Sequence, residues 1–317
     1  MDLFLPTLNQ MVFLFAFIVI GYLLAKFKVV PHGSAGILAK LENWLFIPAL
    51  VMQTFIQNFT VQNLGITWKL FVFGFLIDLI VIPISILVSR LITKDEYTRK
   101  IYIYGLCFSN FEFMGNAVVN AIFPDAFYEY IVFTLTLWIP IYLWGVPALL
   151  AYDSEKKSFS ARLKSFINPM FIAMIVGMVI GITGLNLPSS VNSVISTSAS
   201  CMSPIAMLLT GFTVAEIDIK KALTNVSVYA VSILRLVVYP LIAIGAFVLV
   251  ALTGITVPDS YVICAVCSIA MPLGLNTIVI PAAYGKDTTV ASGMALISHI
   301  LSVLTIPLIF ILLRMII

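Results

Sequence analysis

Charge is what this sequence has least of. Asp, Glu, Lys and Arg make up 10% of the residues and hydrophobic types 62%, and the mean hydropathy is +1.13. A water-facing surface needs roughly a quarter to a third charged residues, so a soluble domain is excluded and a polytopic membrane protein is implied. Other absences narrow the class. No glycine-rich loop runs into Lys-Ser or Lys-Thr, which removes P-loop ATP chemistry. The His-Glu-x-x-His motif is missing, and Ser292-Gly293 with His299 lies in one apolar stretch without a supporting catalytic set. An intramembrane hydrolase is set aside, and the chain is read as a non-enzyme. Cysteine is scarce: Cys107, Cys201, Cys264 and Cys267 all fall in apolar stretches. Cys264 and Cys267 have the gap of a redox or zinc pair, but neither a second pair nor a nearby histidine completes it. No metal site, cofactor or disulfide framework is expected.

What is present is apolar sequence in long stretches. At the roughly 20 residues a helix needs to cross the hydrocarbon, ten spans are expected, near 8–27, 37–57, 68–92, 101–122, 127–151, 168–184, 191–214, 226–252, 259–283 and 289–314. The longest connection, about 152–167, is too short for a soluble domain, so any activity lies within the membrane. Basic residues fix the expected orientation. Odd-numbered loops hold Lys26, Lys28, Lys40, Arg90, Lys94, Arg99, Lys100, Lys156, Lys157, Arg162, Lys164, Lys220, Lys221 and Lys286, against Lys69 and Arg314 on the other side. Odd loops are therefore expected in the cytoplasm and both termini outside. The net charge of +3 reflects this topology and is no sign of nucleic-acid binding. Asp2 precedes the first span and no basic residue does, unlike a secretory signal, so that span is expected to remain in the mature protein.

An internal duplication organises the spans. Asp78-Leu79-Ile80-Val81-Ile82-Pro83 is matched by Arg235-Leu236-Val237-Val238-Tyr239-Pro240, with the charge inverted. Ile47-Pro48-Ala49-Leu50 with Thr54 is matched by Ser203-Pro204-Ile205-Ala206 with Thr210. Spans four and nine both carry glycine and asparagine in mid-membrane. Because five is odd, repeats of five spans have opposite orientations, as in many secondary transporters. The expected fold is all-α and integral to the membrane, with one repeat over 1–152, a cytoplasmic linker over 153–167, and a second, inverted repeat over 168–317.

Span nine reads Ser268-Ile269-Ala270-Met271-Pro272-Leu273-Gly274-Leu275-Asn276-Thr277. Pro272 removes a backbone donor and obstructs the carbonyl four residues earlier, so the helix is expected to break there and face a cavity. Span four reads Ser109-Asn110-Phe111-Glu112-Phe113-Met114-Gly115-Asn116 and has no proline. It is expected either to weaken at Gly115 or to run on with Ser109, Glu112, Asn116 and Asn120 in one polar sector.

Pro272, Gly274 and Asn276, followed by Ala282-Ala283-Tyr284-Gly285, resemble the ninth helix of the auxin efflux carrier family, which includes plant PIN proteins and bacterial malate permeases. Phe108-Ser109-Asn110 with Phe113 and Gly115 resembles its fourth helix, and Leu296-Ile297-Ser298 through Leu304-Thr305-Ile306-Pro307 its tenth. The family's fourth helix carries a proline shortly after the glycine; Asn116-Ala117 stands here instead. The resemblance implies crossing, broken helices four and nine, an architecture like that of NhaA-type antiporters and bile-acid symporters, and a substrate site at the crossing. It implies a scaffold and homodimer contact from spans 1, 2, 6 and 7, and an elevator-like transport domain from spans 3–5 and 8–10. The implied function is transport, chiefly efflux, of a small organic anion such as auxin or malate across the plasma membrane. Coupled uptake with sodium or protons is the alternative, then a channel or receptor.

The polar residues in the spans are then weighed singly. Glu112 lies deep in span four, where an ionisable residue costs about 2.5–3.5 kcal/mol on insertion scales. It suits a proton relay, or a Na⁺ site with Asn110 and Asn116, or a neutral carboxyl held by asparagines. Asp78 and Arg235 are either a buried ion pair or a functional set, with Arg235 facing the anion and Asp78 linked to a proton. Half-helix N-termini would favour a carboxylate, with Gly115, Asn116, Gly274 and Asn276 in close contact. His299 either titrates or packs against a hydroxyl beside Ser298. Glu42 is expected at the interface and His32 in solvent.

Overall fold

The computed structural model describes residues 4–150, 168–216 and 224–317. The expected linker over 153–167, with Lys156, Lys157, Arg162 and Lys164, and the pair Lys220 and Lys221 lie outside the described residues. All regular elements among the described residues are helical: α1 (Phe4–Lys26), α2 (Ser34–Asn58), α3 (Leu64–Ile92), α4 (Glu96–Cys107), α5 (111–122), α6 (Pro124–Leu150), α7 (Pro169–Thr183), α8 (Ser189–Ala215), α9 (Val226–Leu252), α10 (Asp259–Ala270), α11 (Asn276–Ala283) and α12 (Thr289–Arg314). Seven of these, α1, α2, α3, α6, α8, α9 and α12, are long and apolar enough to cross a membrane. The other three expected spans fall short of that length for a physical reason. Spans four and nine are each interrupted, giving α4 with α5 and α10 with α11, and α7 has only 15 residues.

Prolines shape the long helices. A proline ring obstructs the carbonyl four residues earlier, and a widened turn relieves that clash. Pro48 follows the π turn Glu42–Phe46, Pro240 follows the π turn Leu234–Val238, and Pro147 lies within the π segment Ile141–Leu150. The widened turns hold two buried charged residues, Glu42 and Arg235. Glu42, expected near the membrane interface, is buried within the protein. The duplicated stretch is not conformationally equivalent: Asp78 and Pro83 sit in uninterrupted α-helix in α3, whereas Arg235 sits in a π turn.

The described residues group into two compact units. One contains residues 14–70 and 168–216. Its core is α2 packed on α7 and α8, and Gly177 and Gly181 let α7 approach α2 closely. A Cβ on Gly177 would lie 2.9 Å from the Met52 carbonyl oxygen, and one on Gly181 2.6 Å from that of Phe55. Without a hydrophobic force between helices in lipid, such small-residue contacts let backbones meet.

The second unit contains residues 4–13, 71–150 and 224–317. Here the π turn of α9 packs on α10 and α12, α10 packs on α6, and α4 packs on the last third of α6. Leu76, Leu79, Ile80 and Leu87 of α3 are exposed, an apolar face suited to lipid. At the start of α4, Asp95 accepts from the Thr98 N–H at 2.7 Å. That backbone bond holds its carboxyl below the usual carboxylate range.

Candidate functional site

The second unit is interrupted twice at one place. Helix α4 ends at Cys107, Phe108 is extended, and α5 restarts at Phe111. Helix α10 ends at Ala270, Met271 is extended, and α11 restarts at Asn276. The break in span nine therefore falls at Pro272 as the sequence indicates. That in span four falls at 108–110, ahead of Gly115, and the continuous polar sector is not formed. The two extended segments pair: Ser109 and Leu273 form an antiparallel bridge, and the Asn110 N–H donates to the Pro272 carbonyl at 2.8 Å. Gly274 serves this approach, since a Cβ there would lie 3.2 Å from the Ser109 carbonyl oxygen.

A helix break in a buried apolar setting frees backbone groups that must find partners, and side chains supply them. The guanidinium of Arg235 donates to the carbonyl oxygens of Leu106 at 2.6 Å, Ser268 at 3.1 Å and Met271 at 3.3 Å. One cation thus serves the C-terminal ends of both α4 and α10, where the helix dipoles place negative charge. The Ser109 hydroxyl donates to the Ser268 carbonyl at 2.6 Å, and the Leu273 N–H donates to the Ser298 hydroxyl at 3.2 Å. Arg235 is only 2% exposed.

Of the two readings of Arg235 and Asp78, the ion pair is not formed. Asp78 is buried in α3 and bonds Thr136 of α6, while its Oδ2 has no partner among the described residues. Helix carbonyls compensate the guanidinium in its place, because the breaks make them available beside it.

Asn110 is the last residue of the break and Glu112 lies in the first turn of α5; both are buried. Asn110 is bonded to His299, Nδ2 to Nε2 at 3.1 Å, and His299 Nδ1 bonds the Ala295 carbonyl at 2.7 Å. The partner of His299 is therefore an asparagine in the break and not a hydroxyl beside it. No hydrogen bond reaches the Glu112 carboxyl among the described residues. Asn276, half-buried at the start of α11, donates from Nδ2 to the Tyr104 hydroxyl at 3.4 Å. Asn116 is buried in the first turn of Asn116–Ile122. The space beside Gly115 is taken by the Tyr130 hydroxyl, which donates to the Phe111 carbonyl at 3.1 Å.

Tyr104 and Tyr130 were not singled out from the sequence. The signal was available: a tyrosine hydroxyl deep in an apolar span needs a partner. The four cysteines are free thiols, and no group of three or more His, Cys, Asp or Glu residues fit to hold a metal ion occurs among the described residues.

Comparison with known proteins gives one family. The sequence model described as membrane transport protein matches residues 6–162 and again 154–310. No curated protein matches the chain.

Proposed function

This chain belongs to the membrane transport protein family, the auxin efflux carriers, and from there we propose that it exports a small organic anion through a site at the two helix breaks. Membership of the family makes it a multi-pass membrane protein that moves a small substrate; the anion, the direction and the mechanism are the proposal. The observation that carries it is the pairing of 108–110 with 271–273, which gathers Asn110, Glu112 and Asn276 around two half-helix starts.

Half-helix N-termini carry free N–H donors and partial positive charge, which suits a carboxylate. Pro272 makes the break in span nine, Gly274 permits the pairing, and Asn116 lies a turn beyond the other break. Arg235 has a structural part in this reading, because its donors are taken by carbonyls. Glu112 and Asp78 are the coupling candidates, since each has a buried carboxyl whose hydrogen bonding is absent or incomplete. Protons or Na⁺ are the coupling ions to test.

The breaks lie wholly in the unit of residues 71–150 and 224–317. We assign that unit the moving part in an elevator cycle, and residues 14–70 and 168–216 the scaffold and homodimer contact. Ten spans in two inverted repeats, with both termini outside the plasma membrane, complete the proposal. Purified protein in liposomes on a solid-supported membrane tests it, with malate, other dicarboxylates and indole-3-acetate under pH or Na⁺ gradients. A saturable current for one anion, altered by one gradient, supports it. Binding without flux, by electrical and radiotracer measurements, would mean a receptor, and conductance far above carrier rates a channel.

A further inference from the structure

Asparagine at the residue preceding a helix ordinarily turns its Oδ1 back onto the first N–H groups. Asn110 precedes the helical run 111–122 but makes no such bond. His299 explains why. Its Nδ1 lies 2.7 Å from the Ala295 carbonyl oxygen, and a carbonyl can only accept, so Nδ1 carries the hydrogen. In a neutral ring Nε2 is then a lone-pair acceptor. Asn110 must therefore present its NH₂ to Nε2, 3.1 Å away, which turns Oδ1 away from the ring. That oxygen is buried and has no hydrogen-bond partner among the described residues, and the residue is 2% exposed. A buried acceptor without a donor is costly, and this one lies in the break itself.

We infer that His299 is a positioning residue that fixes the Asn110 amide with its oxygen toward the cargo, so that the site selects carboxylates bearing a hydroxyl or N–H donor near the carboxyl group. The inference rests on the carrier reading above. Oδ1 is sealed from solvent in this conformation, and the donor reaches it as the breaks open to take the cargo. An anion without that donor leaves the oxygen unpaired. Discrimination of about ten- to a hundredfold follows from one unpaired buried acceptor. No charge enters this step: the nearby guanidinium of Arg235 is occupied by three carbonyls.

The test uses the full-length protein in liposomes and matched probes differing in one group: malate with succinate, lactate with propionate, and indole-3-acetate with benzofuran-3-acetate. The expected result is that the donor-bearing member of the transported pair has an apparent affinity at least about tenfold higher. In His299→Leu the amide is released and the ratio falls to about one, while transport of the better probe persists. In His299→Gln the side-chain oxygen can still accept from Asn110, and the ratio is retained. A merely structural role for His299 would change rates for both probes alike and leave the ratio unmoved. Equal affinities in the wild-type protein overturn the inference while leaving the carrier reading intact, and need no variant. Equal affinities together with a Na⁺ requirement that Asn110→Ala abolishes would instead assign the oxygen to a cation, also overturning it. No saturable transport of any probe overturns the carrier reading and this inference with it.

Discussion

The guanidinium of Arg235 donates to the carbonyl oxygen of Leu106 at 2.6 Å, so a residue from the second half of the chain satisfies the last turn of a helix in the first. The same group reaches Ser268 and Met271, and both helix ends at the break are held by one side chain. Hydrogen bonds from a charged donor contribute more than neutral ones, and a buried carbonyl left alone is costly. Arg235→Leu is expected to lower stability by roughly 3 kcal/mol or more. Arg235→Lys keeps the charge but lacks the planar fork that spans several acceptors, and should recover only part of that loss. Thermal unfolding of the purified protein in detergent measures both, and a wild-type Tm for Arg235→Lys would contradict the clamp.

Gly115 makes room for Tyr130, whose hydroxyl bonds the Phe111 carbonyl. Gly115→Ala is expected to destabilise by about 1–3 kcal/mol through overpacking. Tyr130→Phe removes the obstructing oxygen but leaves the carbonyl without its donor. The double variant should therefore be less destabilised than the sum of the two single changes, the mark of a direct contact. Additive losses in a denaturation series would show that the two residues do not share this space.

Asp95 supplies a pH-dependent cap to α4. Its carboxyl is held below the usual carboxylate range, chiefly by the Thr98 N–H. A folded-state value depressed below the unfolded one, near 4, gives stabilisation that is present above the unfolded value and lost as pH falls through the folded one. Amide exchange in the first turn of α4, corrected for intrinsic rates, should accelerate on acidification in the wild type. In Asp95→Ala it should be fast already at neutral pH and unresponsive to acid. The same profile in both proteins would remove the cap from the account.

Gly177 and Gly181 set how closely α7 can approach α2. Gly181→Val places side-chain atoms where the Phe55 and Phe59 carbonyls lie, at 2.6 and 2.8 Å from a Cβ. It should destabilise the protein by more than Gly177→Ala. Fluorescence-detected size exclusion after a heating series ranks the two, and the reverse order would place the tight contact elsewhere.

The break in span nine was readable because its cause is local: Pro272 cannot donate and crowds the preceding turn. The break in span four was not, because no local residue causes it. Ser109 and Asn110 leave the helix to pair with Leu273 and Pro272, contacts more than 160 residues away in the chain. Glycine at 115 drew attention to the wrong place, since its smallness serves Tyr130. The depth and charge of Arg235 were legible and its partners were not. The sequence shows its match to Asp78 in the other half, but carbonyl groups exposed by tertiary breaks leave no mark on side-chain chemistry. For the same reason His299 pointed to its neighbour Ser298, while the fold gives it Asn110.

The most direct measurement is counterflow of a radiolabelled anion in liposomes, comparing the wild-type protein with Glu112→Gln and Asn276→Ala at matched incorporation. With the site at the paired breaks, Asn276→Ala should weaken apparent affinity by about tenfold with unfolding unchanged. Glu112→Gln should retain exchange of the bound anion while abolishing its response to the coupling gradient. Wild-type affinity and gradient response in both variants would place the transported anion elsewhere in the protein.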